Sequence, residues 1–251
     1  MHSLEGRRAL VTGGSRGVGL GIVEALVARG AKVTVVARDS ARLADVARRL
    51  GVATRAGDIT DESLARTLLR ELRPQIVVLN AGATPAMAPL QHITWEDFRG
   101  TWETDVRAGL YWVQQCLRLP LEPGSRVLLS SSGAAIQGSP LSGGYAGAKR
   151  MLWFMAGYAN TASAELGLGV HFQTLVQRQI IDTDFGRAAA NAYAAARGVP
   201  VEKVFEGFGR PFTPREIGEH VATIFTDPRY EKGLAFAVKG DAGLTSLDDG
   251  A

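Results

Sequence analysis

The sequence has one cysteine, Cys116, only five lysines among its 28 basic residues, and no apolar run of membrane-spanning length. A lone cysteine excludes an intrachain disulfide and a cysteine-based metal site, so no metal is expected, and it agrees with a reducing compartment. No signal-peptide pattern precedes the first apolar strand, and the expectation is a cytoplasmic protein that does not meet a membrane. Basic residues exceed acidic ones only by 28 to 25, a net charge of +3, and nowhere form a run. Despite a pI near 9.2, that scatter argues against nucleic acid as the main partner.

Glycine, by contrast, is plentiful: 30 of 251 residues, as suits a fold with many strand-to-helix turns. Residues 7–12 (RRALVT) read as a strand, followed by GGSRGVG at 13–19 and an amphipathic helix to about Arg29. Gly13, Gly17 and Gly19 allow a tight turn and close approach of a ligand, and the helix behind them offers free N–H groups to a phosphate. No Walker lysine follows. GGSRG also has the Gly-x-Ser-x-Gly form of a hydrolase elbow, but only one strand precedes Ser15, so no earlier loop could complete an oxyanion hole.

The second strand, 32–37, ends at Arg38. An acid there usually binds a ribose hydroxyl, whereas arginine accommodates a 2′-phosphate, and Arg16 in the glycine loop adds a second cation. Asp39 reads as the cap of a helix over 40–50. A short strand near 52–56 leads to Asp58, a helix spans about 61–72, and the strand 75–79 ends in Asn80-Ala81-Gly82. The βαβαβαβ order predicts an α/β fold: one domain with a Rossmann-type, doubly wound parallel sheet and helices on both faces.

After a loop over 83–93, Thr94 is expected to cap a helix of about 24 residues ending near Arg118. Phe98, Trp102, Val106, Val113 and Leu117 form its apolar stripe, a core or subunit-interface face. The run 126–130 reads as a buried strand that delivers Ser132 at its carboxyl end. Tyr145 and Lys149 share one face of the helix expected from Tyr145 to about Leu166, where the ammonium favours the phenolate and so proton exchange. A strand over 170–176, an alanine-rich helix over 188–196, a region holding Phe205, Phe208 and Phe212, a capping box at Thr213-Pro214-Arg215-Glu216 and a helix over 214–226 follow. A last strand over 233–238 precedes a polar tail expected to fray.

These positions together resemble the short-chain dehydrogenase/reductase family in its compact form, over essentially the whole chain. TGGSRGVG at 12–19 is similar to the family's glycine loop, and Asn80-Ala81-Gly82 to its strand-four motif. The resemblance implies catalysis by Ser132, Tyr145 and Lys149, with Asp105 where the family carries a relay asparagine. Tyr145 would be the acid/base, Ser132 would hydrogen-bond the substrate oxygen, and Lys149 would hold the nicotinamide ribose. Cofactor contacts are implied at Gly13, Ser15, Arg16, Gly17, Val18, Gly19, Arg38, Asp58, Ile59, Asn80, Ala81, Gly82, Tyr145, Lys149, Ile180 and Thr183, with NADP(H) preferred over NAD(H).

The implied activity is carbonyl–alcohol interconversion on a small apolar substrate. Its pocket would be walled by loops 83–92 and 133–144 and by a lid over 184–212, with Met87, Phe185, Tyr193, Phe205 and Phe208 as candidate contacts. A homodimer or homotetramer built on helices 95–118 and 145–166 is also implied. Three positions depart from the family: Asp105, Gln177-Arg178 in place of Pro-Gly, and Thr183, which falls one residue late. The departures leave a second reading open, a nucleotide-binding regulatory or scaffold protein with little turnover.

Overall fold

The computed structural model describes residues 3–119, 121–179 and 181–248. Along the chain, β1 (Arg8–Thr12), α1 (Gly17–Val27), β2 (Lys32–Ala37), α2 (Ser40–Leu50), β3 (Ala53–Ala56), α3 (Glu62–Leu72) and β4 (Ile76–Leu79) make the first half. The second half comprises α4 (Trp95–Thr101), α5 (Arg107–Arg118), β5 (Arg126–Ser132), a short α6 (Ala134–Gln137), α7 (Tyr145–Glu165), β6 (His171–Gln177), α8 (Asp184–Arg197), α9 (Val201–Phe208), α10 (Pro214–Thr226), β7 (Ala235–Val238) and β8 (Leu244–Ser246).

The strands form one sheet in the order β3-β2-β1-β4-β5-β6-β7-β8, parallel from β3 through β7. The single doubly wound domain expected from the element order is therefore present. The central strands are buried on both faces, and their alternating side chains feed two cores. Val11, Val35, Val78 and Leu128 pack with α1 and α10, whereas Leu10, Val36, Val77 and Leu129 pack with α3, α5 and α7. Cys116 lies in the second core, where burial pushes its thiol up to about 12 and leaves it unreactive. No helix among the described residues is long and apolar enough to cross a membrane.

Local chemistry sets the helix starts. Asp39 accepts from the Arg42 N–H, Thr94 from Asp97, and Thr213 forms the full capping box with Glu216. Three expectations need revision. The tail does not fray after β7: residues 244–246 return as β8, antiparallel to β7. The alanine-rich helix begins earlier, at Asp184, because Thr183 caps it through the Gly186 N–H. Phe205 and Phe208, expected in a glycine-punctuated region, lie on a second helix, α9. Within the helix that runs to Arg118, a π-turn at Trp102–Val106 separates α4 from α5.

Helices α1 and α10 cross with almost no side chain between them. A Cβ on Gly21 would fall on the Pro214 carbonyl, and one on Gly218 would fall on the Gly21 carbonyl. Neither backbone can retreat, since α1 also carries the glycine loop. Gly218→Ala is therefore expected to destabilise the fold by about 3 kcal/mol, the upper end of overpacking costs. Urea denaturation measures it; an unchanged midpoint would show that the crossing is not tight.

Candidate active site

One cleft of about 1500 Å³ runs along the carboxyl ends of β1, β2, β4, β5 and β6. This is where an open α/β sheet places ligands, because the loops leave the strands there and diverge around the reversal of strand order. The cleft is lined by Gly13, Ser15, Arg16, Gly17, Val18, Gly19, Arg38, Asp58, Ile59, Asn80, Ala81, Gly82, Ser132, Tyr145, Lys149 and Thr183. Of the residues expected at the site, Asp105 is buried beneath the cleft, and Ile180 lies outside the described residues.

At one end the glycine loop sits on the end of β4. Gly13 has φ +70, and a Cβ there would stand 2.8 Å from the Ala81 Cα. Thr12 fastens the same junction: its hydroxyl accepts from the Asn80 and Ala81 N–H groups at 3.0 and 3.2 Å. Thr12 was visible in the sequence only as the first letter of a motif; its bridging role needs the two strands side by side. The first turn of α1 has no side-chain cap, so its N–H groups face the cleft. Arg16 and Arg38 are exposed beside it. The N–H and hydroxyl of Thr60 donate to Asp58 at 2.9 and 2.8 Å, holding its carboxyl below the usual range, with Arg38 adding a smaller pull. An uncapped helix terminus, two cations and a carboxylate fit a dinucleotide's phosphates and adenosine.

At the other end, Ser132 closes β5, Tyr145 opens α7 and Lys149 follows one turn later. The Lys149 Nζ is 5.6 Å from the centre of the Tyr145 ring. Lys149 is held from several sides: its carbonyl accepts from the Ser131 hydroxyl at 2.8 Å, and Nζ reaches the Ser130 carbonyl at 3.5 Å. The π-turn points Asp105 inward, and its Oδ2 lies 3.0 Å from Nζ, the carboxylate fully buried and the lysine side chain largely so. That pair is an ion pair without the alignment of a hydrogen bond; the other oxygen, Oδ1, accepts the Ala83 N–H at 2.7 Å. Burial alone would lower the Lys149 pKa, but Asp105 first and Tyr145 second reverse this, leaving it above the ordinary lysine value.

The segment after β6 covers this end. Phe185 places its ring 5.8 Å from that of Tyr145, and the Tyr193 hydroxyl meets Ser139 at 2.5 Å. Met87 and Phe208 also line the cleft, but Phe205 does not: it packs against Ala190, Ala194 and Val204 in a small core between α8 and α9. Thr183, though one residue late, arrives beside the glycine loop, 3.5 Å from where a Gly17 Cβ would be. Among the described residues no group of three or more His, Cys, Asp or Glu is placed to hold a metal.

A family model described as short chain dehydrogenase matches residues 7–194. The chain belongs to the short-chain dehydrogenase family. Its relatives include a hydroxynaphthalene reductase of Aspergillus fumigatus, 36% identical over 176 residues, a match covering 65% of this chain and 62% of that protein. A hydroxynaphthalene reductase-like protein of Metarhizium majus is 31% identical over 95% of this chain and 96% of its own length. A 2,5-dichloro-2,5-cyclohexadiene-1,4-diol dehydrogenase of Sphingobium indicum is 30% identical, covering 98% of this chain and all of that one. The fold is shared with a short-chain dehydrogenase/reductase (glucose/ribitol dehydrogenase) from Brucella melitensis: TM-score 0.78, 21% identity, 94% of this chain and 96% of the other. This short-chain dehydrogenase is thus an oxidoreductase of a family that works with nicotinamide cofactors.

The buried carboxylate sets a pH expectation. Asp105 holds the Lys149 pKa up; with Asp105→Asn only burial and the weaker Tyr145 contribution remain, so the ammonium loses its proton at lower pH. In that variant the alkaline limb of the pH–rate profile, cofactor saturating, should move to lower pH. Superimposable profiles would sink the idea.

Proposed function

We propose that this dehydrogenase interconverts a carbonyl and an alcohol on a small, largely apolar substrate and prefers NADP(H). The observation that carries the reading is the opening of Ser132, Tyr145 and Lys149 into the same cleft as the uncapped, arginine-flanked helix terminus. When bound, a reduced nicotinamide supplies the hydride that the carbonyl carbon accepts. Ser132 donates a hydrogen bond to the carbonyl oxygen, and Tyr145 gives that oxygen its proton; in the reverse direction Tyr145 is the base. Lys149 keeps a positive charge beside the phenol and binds the nicotinamide ribose. Phe185 and the α8–α9 segment, read as a lid over 184–212, exclude water.

The relatives named as reductase and dehydrogenase support the reaction class. The alternative, a nucleotide-binding regulatory protein with little turnover, draws on Asp105 and Gln177-Arg178. A panel of ketones and aldehydes assayed with NADPH separates the two, since the regulatory reading expects no turnover on any of them. Exposed Leu110 on α5 and Phe154 and Tyr158 on α7 support assembly through those helices as a homodimer or homotetramer. The single buried cysteine is the support for a cytoplasmic location.

Cofactor preference rests on Arg38 and Arg16, exposed and without an ion-pair partner within 4 Å among the described residues. A charge-assisted contact with a 2′-phosphate contributes about 1.5–3 kcal/mol, so NADPH should bind roughly tenfold or more tightly than NADH. Arg38→Asp should reverse the order in fluorescence titrations; equal affinities in the parent chain would end the claim.

Tyr145→Phe removes only the hydroxyl. Turnover should fall about 10²–10⁴-fold with cofactor affinity nearly intact. A variant keeping more than about a tenth of the parent rate, under conditions where chemistry limits, would contradict the role.

A further inference from the structure

The carboxyl edge of β6 presents a cation with no counter-charge among the described residues. Arg178 follows Gln177, which pairs in register with Ser132 across β5 and β6. Its main chain is held in place: the Arg178 N–H donates to the Val238 carbonyl at 3.0 Å, and the Gly133 N–H donates to the Gln177 carbonyl at 2.7 Å. A Cβ on Gly133 would stand 3.1 Å from the Arg178 Cα, so the arginine leaves the sheet directly beside the residue that follows Ser132. Its side chain is half-buried, lines the cleft, and has no hydrogen bond, ion pair or ring contact with any described residue.

The other arginines on this half of the cleft are engaged. Arg187 pairs with Asp182 and, at 2.9 Å, with Asp184. Arg197 lies 5.4 Å over the Tyr193 ring, and Arg107 is 3.9 Å from Glu103. A guanidinium that lines a cleft and meets no acceptor among the described residues leaves its donors to a ligand, and a half-buried polar group of that kind marks a place where a ligand supplies the partner. The cofactor's phosphates do not fit the part. They belong at the start of α1, beyond β1, and β6 is three strands away across β4 and β5, roughly 14 Å. The nicotinamide end carries no anion.

We propose that Arg178 binds a carboxylate of the substrate, and that the substrates are α-keto acids, or the matching α-hydroxy acids, with an apolar or aromatic body. The inference rests on the carbonyl–alcohol reading above. A keto oxygen held by Ser132 on β5 leaves an adjoining carboxylate facing the neighbouring strand, where the planar guanidinium can take both its oxygens. The apolar body then lies against Phe185. In reduction, a hydride from the reduced nicotinamide nucleotide adds to the keto carbon and a proton from Tyr145 to its oxygen; the carboxylate is unchanged.

The test compares phenylglyoxylate with its uncharged methyl ester in the parent chain, Arg178→Ala and Arg178→Lys. The parent kcat/KM should favour the acid by roughly tenfold or more, Arg178→Ala should erase that preference, and Arg178→Lys should keep part of it. A parent without the preference, or an Ala variant that retains it, overturns the proposal. So does a tenfold loss of NADPH affinity in Arg178→Ala, which would assign the arginine to the nucleotide. If neither compound is turned over, the carbonyl–alcohol reading fails separately, and calorimetry on the NADPH-saturated protein decides for Arg178. Benzoate binding tighter than benzamide in the parent, and lost in Arg178→Ala, supports the carboxylate site; equal binding of the two overturns it.

Discussion

A fully buried carboxylate and a largely buried ammonium hold the centre of this molecule together. Asp105 reaches Lys149 from the π-turn between α4 and α5 and at the same time accepts the N–H of Ala83, in the loop after β4. Lys149 in turn is tied to β5 through the Ser130 carbonyl and the Ser131 hydroxyl. Four segments distant in sequence therefore meet on one pair of opposite charges. Each charge justifies the burial of the other; removing one from such a pair typically costs about 3–5 kcal/mol, because the remaining charge is stranded. The π-turn belongs to the same logic. A regular helix would present the fourth residue of this stretch at another angle, and the wider turn aims Asp105 at Lys149.

Around that pair the site divides into a rigid edge and a lightly held cover. The rigid part is the row of strand ends, fixed by ladder hydrogen bonds and by Thr12, which joins β1 to β4. The cover, α8 and α9, shares only a small core of Ala190, Ala194 and Val204. It is pinned at a few points: Thr183 at the glycine loop, Tyr193 on Ser139, and Gln179, whose amide N–H groups reach the Phe208 and Arg210 carbonyls. Few buried apolar contacts and a handful of polar anchors join this element to the sheet beneath it, as the proposed lid requires.

Charge is distributed along the cleft in the same spirit. Acids and arginines at the rim neutralise one another, as Arg187 does with Asp182 and Asp184, while Arg16, Arg38 and Arg178 are left without ion-pair partners among the described residues. The first two flank a helix terminus that already favours anions. The third stands beside the end of β5, where the reacting end of a ligand belongs.

The sequence by itself determined the parallel strands, the order of the elements around them and most of the residues expected along the cleft. Those features are local: apolar runs of strand length, side-chain caps such as Asp39 and Thr213, and a glycine loop that only one kind of turn accommodates. It also determined that Tyr145 and Lys149 share a helix face, because one helical turn separates them. What only the tertiary structure decided involves partners far apart in the chain. The direct contact of Asp105 with Lys149 depends on the π-turn, which has no strong local signature. β8 exists because β7 offers it an open edge, and its short polar strand carries little pattern of its own. Phe185 became a neighbour of Tyr145 while Phe205 joined the small core between α8 and α9, since two phenylalanines of equal hydrophobicity differ only in which surface their helices present. The isolation of Arg178 among the described residues is of the same kind: a charge is read from one residue, but the lack of a partner there is a property of everything folded around it.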